Sequence, residues 1–442
     1  MTLRACLLPL ALALLAVPAG AQDTASDQDV HLSLSDAVAR ARERSARLLS
    51  LSSLETAAGE GVRGARAGRL PQADLSASYT RNSNVPELVI AFPGAPPRTI
   101  FPNIPDNLRS HAGVSLPIYT AGRVTGQIDA ARALQGAATA DRQTALQDLV
   151  LETQSAYVWL VTARESAHVL GEAVDAYESH RKDAENREAM GMAARNEVMA
   201  VTVERERALL QRLQADNAAA VATANLLRLV DLPAGTRLET DPLEPVTAAD
   251  VDAEALVAQA HQTRAELAAL RARAAAAEAQ VRVARSAALP QAALSGGYDY
   301  ARPNTRILPL SDTWNGTWSI GGAVTWNAFD GGRSSAAAAQ ARAQAEALRQ
   351  QVIDLERRVS LEVTTRTLDL ASARLGLAVA ERALAAAREN LRVVRDRYAE
   401  GVVSSSDLLD AENVALRAGL ERTGAVAQLQ VAAASLDRAV GR

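Results

Sequence analysis

The sequence predicts a mainly α-helical protein with a small β part, built from two similar halves in the order helix, strand, strand, long helix. Three observations support this prediction. The 442 residues are 48% hydrophobic but include only 14 aromatic residues, and the apolar content is mostly Ala, Leu and Val, which is typical of long packed helices. Ordered sequence matches recur at offsets of 219 and 210 residues. Long stretches without proline alternate with short segments of period two.

The N-terminal segment has the pattern of a secretory signal peptide. Arg4 precedes an apolar run over residues 7–17, and Ala19-Gly20-Ala21 forms a small-residue cleavage site. The run is too short to span a bilayer. Cys6 is the sole cysteine and would leave with residues 1–21, so we expect an exported chain with no disulfide and no lipid anchor.

The repeats divide the remainder into two halves joined by a linker. Residues 70–76 (LPQADLS) match residues 289–295 (LPQAALS) at an offset of 219. Later matches keep an offset of 210, so one loop-sized change separates two copies of a unit of about 200 residues. We therefore expect a first repeat over 22–232, a linker over 233–252 and a second repeat over 253–442. The first helix of each repeat is predicted over 35–69 and 253–288, with a proline just beyond its end.

Four segments alternate as strands do, over residues 72–81, 110–119, 291–300 and 316–329. Small polar residues share one face and apolar residues share the other, as in an outer-membrane barrel; an ordinary half-buried sheet has the same period. Ten of the 14 aromatic residues fall within 72–119 and 291–329, which favours the barrel. Five lie near strand ends, where membrane-interface girdles form: Tyr79, Tyr119, Tyr298, Trp326 and Phe329.

Four strands are too few to close a membrane barrel, and an open sheet edge has no hydrogen-bond partners in lipid. The chain must therefore oligomerise if the barrel interpretation holds. Two copies would supply eight strands and three copies twelve, and either number is enough to close a barrel.

The longest helix of the second half is predicted over residues 332–397. Its large and small apolar residues recur in steps of three and four, a heptad seam that lets neighbouring helices approach closely. At 1.5 Å per residue this helix is a rod of roughly 95 Å, far longer than a globular domain needs.

Composition and motifs exclude several functional classes. The formal net charge of −4 argues against nucleic acid as a partner, and Lys182, as the sole lysine, leaves no phosphate-loop lysine for an ATPase. The five histidines show no ligand spacing, so we expect no metal or cofactor. No serine lies in a nucleophile-elbow pattern. The sequence predicts that the protein is not an enzyme.

At this point the ordered motifs resemble those of the TolC-like outer-membrane efflux proteins, over essentially the whole mature chain. The resemblance is carried by two strand-to-helix turns and by the segment from Arg397 to Ala411, which is similar to the family's periplasmic tip motif. The turn residues are Gly122, Arg123, Gly331, Gly332 and Arg333. The resemblance implies a homotrimer with a trimeric α-helical coiled-coil barrel and a shared 12-stranded transmembrane β-barrel. It also implies the outer membrane of a Gram-negative bacterium, with extension into the periplasm.

The tip residues have both a structural and a functional interpretation. Gly191 and Gly401 each follow a long helix, where a residue that tolerates positive φ is favoured. Asn196 and Ser406 are possible caps of the next helices, and an acid in the first turn suits a helix N-terminus. By resemblance, Asp407 and Asp410 instead occupy an acidic periplasmic aperture, where repulsion would raise some pKa values. The tip turn and adaptor contact would comprise Arg187, Gly191, Glu197, Arg397, Tyr398 and Gly401; Val403 departs from the arginine found there in the family.

The leading hypothesis is a passive exit duct of a tripartite efflux or type I secretion system. A periplasmic adaptor (membrane fusion) protein would open its tip, and an inner-membrane pump of the resistance-nodulation-division, ABC or major facilitator type would supply the energy. The alternative is a periplasmic coiled-coil spacer or envelope tether without a pore, which leaves the amphipathic strands unexplained. Drug, metal and protein substrates all remain open.

Overall fold

A computed structural model describes residues 29–91, 93–94, 96–243 and 252–442. The predicted signal peptide and residues 244–251 of the predicted linker lie outside these residues. The helices are α1 Leu34–Arg44, α2 Ala46–Ala67, α3 Arg123–Ala189, α4 Arg195–Leu229, α5 Ala253–Thr263, α6 Ala265–Ser286, α7 Arg333–Ala399 and α8 Ser405–Val440. The strands are β1 Val30–Leu32, β2 Gln72–Arg81, β3 Leu88–Ile90, β4 Arg98–Phe101, β5 Asp106–Tyr119, β6 Leu238–Thr240, β7 Gln291–Arg302 and β8 Asn315–Thr325. The mainly helical class with a small β part is confirmed.

The first helix of each half is broken in two, contrary to the single helices predicted over 35–69 and 253–288. The breaks lie at Ser45 and Arg264, where ψ is 114° and 117°, so the backbone is extended for one residue. Ser45 restarts the helix by accepting a hydrogen bond from the Leu48 amide on its hydroxyl. Arg264 is buried, and its guanidinium donates a hydrogen bond to the Ala439 carbonyl in α8, so its side chain contacts a distant helix. The two breaks are 219 residues apart, the same offset as the sequence match between residues 70–76 and 289–295.

The four long strands form one antiparallel sheet in the order β2-β5-β7-β8. The middle pair joins the two halves of the chain, and β2 and β8 are the edges. The predicted strand over 316–329 is too long at its end, because β8 stops at Thr325. Thr325 pairs with Gln291, the first residue of β7, so residues beyond it have no partner strand.

The sheet has one apolar and one polar face. A row across the apolar face runs from Leu75 through Ala112 and Tyr298 to Trp318. Large apolar residues of this face are exposed, and Leu75, Trp318, Ile320 and Val324 each keep more than 70% of their surface accessible. A row across the other face contains Ser76, His111, Asp299 and Thr317. Within the described part of the chain, therefore, the apolar face is largely uncovered.

The long helices α3 and α7 have 67 residues each, or about 100 Å at 1.5 Å per residue. Each packs along its successor, α4 or α8, and α3 also packs along α6 and α8. The predicted Leu/Ala seam of α7 is buried or half-buried throughout, from Leu370 to Tyr398. The helix spacing is close where Gly126 of α3 meets α6, since a Cβ there would lie 2.8 Å from a Val283 methyl carbon.

Two smaller sheets were not predicted. Strands β1 and β6 pair in parallel, which ties the start of the described chain to the segment after α4. Strands β3 and β4 form a hairpin between β2 and β5. None of the helices in the described part of the chain is long and apolar enough to cross a membrane.

Candidate functional site at the helix tips

The turns that follow α3 and α7 have the same backbone geometry. Gly191 and Gly401 adopt φ of 69° and 74°, where a side chain would be strained. The amide of Met192 donates to the Arg187 carbonyl at 2.8 Å, and that of Val402 donates to the Arg397 carbonyl at 2.9 Å. These are the bonds of a glycine-terminated helix end, which satisfy carbonyls that would otherwise lack partners.

The helices that leave the two turns begin differently, and neither begins at the predicted cap. For α8 the cap is Ser404 rather than Ser406, because the Ser404 hydroxyl accepts from the Asp407 amide at 3.2 Å. The Asp407 carboxylate accepts in return from the Ser404 amide at 3.0 Å, which completes a capping box. For α4 the cap is Ala194 rather than Asn196, and Glu197 supplies only the return bond, at 3.5 Å.

Arg187 joins the first tip to the second. Its guanidinium lies over the Tyr398 ring, 4.1 Å from the centroid, and Nη2 donates to the Tyr398 carbonyl at 2.9 Å. Asp183, one turn back on α3, pairs with the same guanidinium at 3.3 Å. Tyr398 is only 6% exposed, and burial raises the pKa of its phenol. Its hydroxyl lies near Ser405 but makes no well-aligned hydrogen bond within the described part of the chain.

The two candidate aperture acids lie on the exposed side of α8. Asp407 and Asp410 are exposed, whereas Leu408 and Leu409 between them are buried. The hydrogen bonds from Ser404 hold the pKa of the Asp407 carboxyl below its ordinary value. Within one chain this effect opposes the rise expected from a ring of carboxylates. The other tip residues differ in access, since Arg397 is exposed while Arg187 and Glu197 are half-buried.

A buried histidine beside the tip was not predicted from the sequence. His180 of α3 contacts two residues of α8: Nδ1 lies 3.0 Å from a Glu412 carboxylate oxygen, and Nε2 lies 2.9 Å from the Ser405 hydroxyl. Its ring meets that of Tyr398 edge-on, with centroids 5.4 Å apart. His180 was treated only as one of five scattered histidines, because more than 220 residues separate it from both partners. No local sequence pattern signals this contact.

The strand-to-helix turns lie at the opposite ends of the long helices. Gly122 and Gly332 precede the first residues of α3 and α7, Arg123 and Arg333, and have φ of 84° and 87°. Before them, Ala121 and Gly331 also have positive φ, 50° and 68°. Two consecutive left-handed residues reverse the chain sharply from sheet to helix.

The five aromatic residues predicted at a membrane interface are all at least half exposed in the chain. Tyr79 and Tyr298 lie within β2 and β7, Tyr119 ends β5, and Trp326 and Phe329 follow β8. The Trp326 indole donates to the Ala288 carbonyl at 3.1 Å, which ties the end of β8 to the end of α6. Phe329 keeps 88% of its surface accessible.

Among the described residues, no group of three or more His, Cys, Asp or Glu side chains has the arrangement of a metal site. The tips instead offer exposed carboxylates, a stacked arginine and a buried polar contact. Such a set of groups can hold helices together and attract or repel ions. The Ser405 hydroxyl beside His180 is buried, since Ser405 is only 3% exposed.

Known proteins resemble this chain in sequence and in fold. The family model described as outer membrane efflux protein matches residues 37–230 and 256–442. Protein CyaE of Bordetella pertussis is 28% identical over 330 residues, which cover 73% of this chain and 68% of that protein.

Solved structures share the fold. The CmeC outer membrane channel of Campylobacter jejuni superposes with a TM-score of 0.79 at 18% identity, covering 92% of this chain and 85% of that one. The outer membrane protein VceC of Vibrio cholerae gives 0.78 at 21% identity, with coverage of 92% and 96%. At these identities the likeness is one of fold.

Proposed function

Because the chain belongs to the TolC-like outer membrane efflux protein family, we propose that it is the outer-membrane exit duct of a tripartite efflux or type I secretion system. The observation that carries this proposal is the division of the molecule into two unlike ends. One end is a sheet with an exposed apolar face and a polar face, and the other is a pair of helix tips about 100 Å away. Membrane insertion and periplasmic reach need these two ends.

The sheet becomes a membrane element by closing with other copies. Strands β2 and β8 are edges of the four-stranded sheet, and their free backbone groups would have no partner in lipid. Three copies joined edge to edge form a 12-stranded barrel with the apolar face toward lipid and the row containing Ser76 and Asp299 toward water. The exposed aromatic residues near the strand ends then lie at the two interfaces, facing outer-membrane lipid.

Trimeric assembly also brings the helix tips together. Three copies of α3, α4, α7 and α8 form a coiled-coil tube that narrows at the tips, as the family resemblance implies. Asp407 and Asp410 of three copies place six carboxylates around the opening, a ring that attracts cations and repels anions. Opening is assigned to a periplasmic adaptor that contacts the two tip turns, and energy to an inner-membrane pump. The tip differs from the family pattern at Val403, whose side chain is apolar where the family has an arginine.

The test is ion conductance of the purified protein in a planar bilayer. We expect small, cation-selective currents from the wild type. The variant Asp407→Asn/Asp410→Asn keeps the cap at Ser404 and removes the charge, so selectivity should fall. A matched control, Asp354→Ala/Asp369→Ala, removes two exposed acids from the middle of α7 and should leave selectivity unchanged.

Each other outcome contradicts a defined part of the proposal. Conductance with unchanged selectivity in the tip variant would keep the channel and reject the acidic aperture. A folded trimer that stays soluble and never inserts would reject the channel and favour the periplasmic tether, which the Leu/Ala seam of α7 also fits.

A further inference from the structure

A buried polar contact joins the first helix pair to the second beside the tip. The His180 imidazole, on α3, lies between Ser405 and Glu412, both on α8, at 2.9 Å and 3.0 Å. The His180 and Glu412 side chains are 1% and 5% exposed. Nothing in the proposed transport function uses these groups. Burying a carboxylate with few partners is unfavourable, so the contact needs its own explanation.

The contact has a specific position on α8. Ser405 is the first residue of that helix and Glu412 follows two turns later, so both face α3. One imidazole ring therefore holds both ends of a two-turn segment. Asp407 and Asp410 lie inside this segment.

The two acids point away from the histidine. At about 100° per residue, Asp407 and Asp410 lie about 200° and 140° around the helix from Ser405. They are therefore on the side of α8 opposite His180. Any rotation of this segment about its axis would move the carboxylates sideways and break at least one of the two histidine contacts.

Neighbouring groups restrain the imidazole itself. The Tyr398 ring of α7 packs edge-on against it, and the Arg187 guanidinium lies over that same tyrosine ring. Arg395 of α7 approaches Glu412 at 3.8 Å. The histidine is thus held by α7 while it holds α8, and its two ring nitrogens let one side chain bridge both partners.

We propose that His180 is a positioning residue for the aperture: by clamping Ser405 and Glu412 it fixes the rotation of the first two turns of α8 and so aims Asp407 and Asp410 at the opening. This inference rests on the proposed channel function. It adds a role for a residue of the first half in orienting acids of the second half.

The experiment compares cation selectivity, from reversal potentials in a KCl gradient, among single variants of the assembled protein. His180→Leu removes both contacts and should lower the cation-to-anion permeability ratio at least about threefold, because the carboxylates are no longer held toward the pore. In His180→Gln the amide can donate to Glu412 and accept from Ser405, so it should keep the ratio within about twofold of the wild type. Gln147→Leu is the matched control: it removes a buried polar contact, to the Gly441 carbonyl, far from the tip, and should leave the ratio unchanged.

Several results would overturn the proposal. Wild-type selectivity in His180→Leu, or an equal loss in Gln147→Leu, would show that the contact only supports packing. If His180→Leu fails to assemble, Ser405→Ala decides, since it removes one anchor with little change in volume and must lower selectivity. A wild type that conducts no ions would instead reject the channel, and selectivity lost in Asp407→Asn/Asp410→Asn but kept in His180→Leu would reject only the positioning role.

Discussion

At the scale of single residues, the first strand-to-helix turn contains a strained alanine where the second has a glycine. Ala121 adopts φ of 50°, and its counterpart Gly331 has φ of 68°. A side chain in this left-handed region is unfavourable by about 1–2 kcal/mol relative to glycine. The same backbone turn is therefore built at two different conformational costs in the two halves.

We expect Ala121→Gly to raise the free energy of unfolding by about 1 kcal/mol, because it relieves this strain at a half-buried turn. Gly331→Ala is the mirror-image control and should lower it by a similar amount. Denaturant unfolding of the detergent-extracted protein measures both. Equal effects of the same sign in the two variants would contradict the strain argument.

The stability of the first turn of α8 should depend on pH, in a direction that the pKa of Asp407 determines. The pKa of its carboxyl is lowered in the folded chain by the bonds from Ser404. Its stabilising contribution is therefore fully present above the ordinary aspartate value of 3.8 and is lost as the pH falls through the lower folded value. The hydrogen-exchange protection factors of the first-turn amides of α8, which correct for the intrinsic exchange rate, should fall below about pH 4, and this acid-induced loss should disappear in Asp407→Asn. Protection that is independent of pH in the wild type would exclude the capping role.

The sequence predicted the tip unevenly. Gly191 and Gly401 were found because positive φ after a long helix has a local residue signature. Both caps were misplaced by two residues. At 404–406 three serines in a row offer the same hydroxyl, and only the backbone geometry selects one of them. At the first tip the cap is Ala194, which has no polar side chain to mark it. His180 was missed because its partners lie on another helix, and a contact between distant segments leaves no periodic trace.

At the scale of elements, the breaks at Ser45 and Arg264 separate α1 from α2 and α5 from α6, and so set the directions of the helices that precede the strands of the sheet. Periodicity alone did not reveal them, because one extended residue scarcely disturbs an apolar repeat of period 3.6. The side chain of Arg264 stabilises the break at this residue. Its guanidinium pairs with Glu362 at 2.9 Å and donates to the Ala439 carbonyl at 2.9 Å. The break thus anchors the end of α8 and the middle of α7.

Arg264→Met should lower the free energy of unfolding by about 2–3 kcal/mol, because charged hydrogen bonds of a buried guanidinium are lost. Arg271→Met, seven residues later in α6, is the matched control. Its side chain is 45% exposed and pairs with Glu356, so its loss should cost about 0–1 kcal/mol. Denaturant unfolding of the two variants side by side would contradict this account if both lost the same amount.

At the scale of the whole molecule, the proposed membrane barrel and an ordinary sheet differ in what the apolar face of the sheet contacts. Trp318 and Ile320 lie on the apolar face and are 73% and 76% exposed, while Ser319 between them lies on the polar face. Arginine facing the middle of a bilayer costs about 2–4 kcal/mol. An arginine placed on one face of β8 or on the other therefore tests which face contacts lipid.

We expect Trp318→Arg/Ile320→Arg to abolish or strongly reduce folded protein in outer-membrane fractions. Ser319→Arg, one residue away but facing water, should insert as the wild type does. Heat-modifiable migration of membrane extracts on gels reports the folded fraction. Equal insertion of both variants would mean that the apolar face does not meet lipid.

The large-scale plan was the most predictable part of the fold. Strand alternation, the Leu/Ala seam and the proline-free stretches are local patterns repeated many times, so the class and the long helices followed from them. The β1–β6 pair was not predictable, because two three-residue strands carry almost no periodic signal and pair across more than 200 residues. The hairpin of β3 and β4 was hidden among the prolines of the segment between β2 and β5 for the same reason.

Because α3 and α7 have equal lengths, the distance between the sheet and the helix tips can change only in defined steps. Adding one residue to either helix would advance its tip by about 1.5 Å and turn it by about 100°, which would separate Arg187 from Tyr398. Evolution can therefore change the span between membrane and tip only by paired insertions or deletions, in both helices and in their returning partners. Since the packed seam restores its register every seven residues, the permitted lengths differ by steps of about 10.5 Å. Relatives adapted to envelopes of different thickness should fall on this discrete scale.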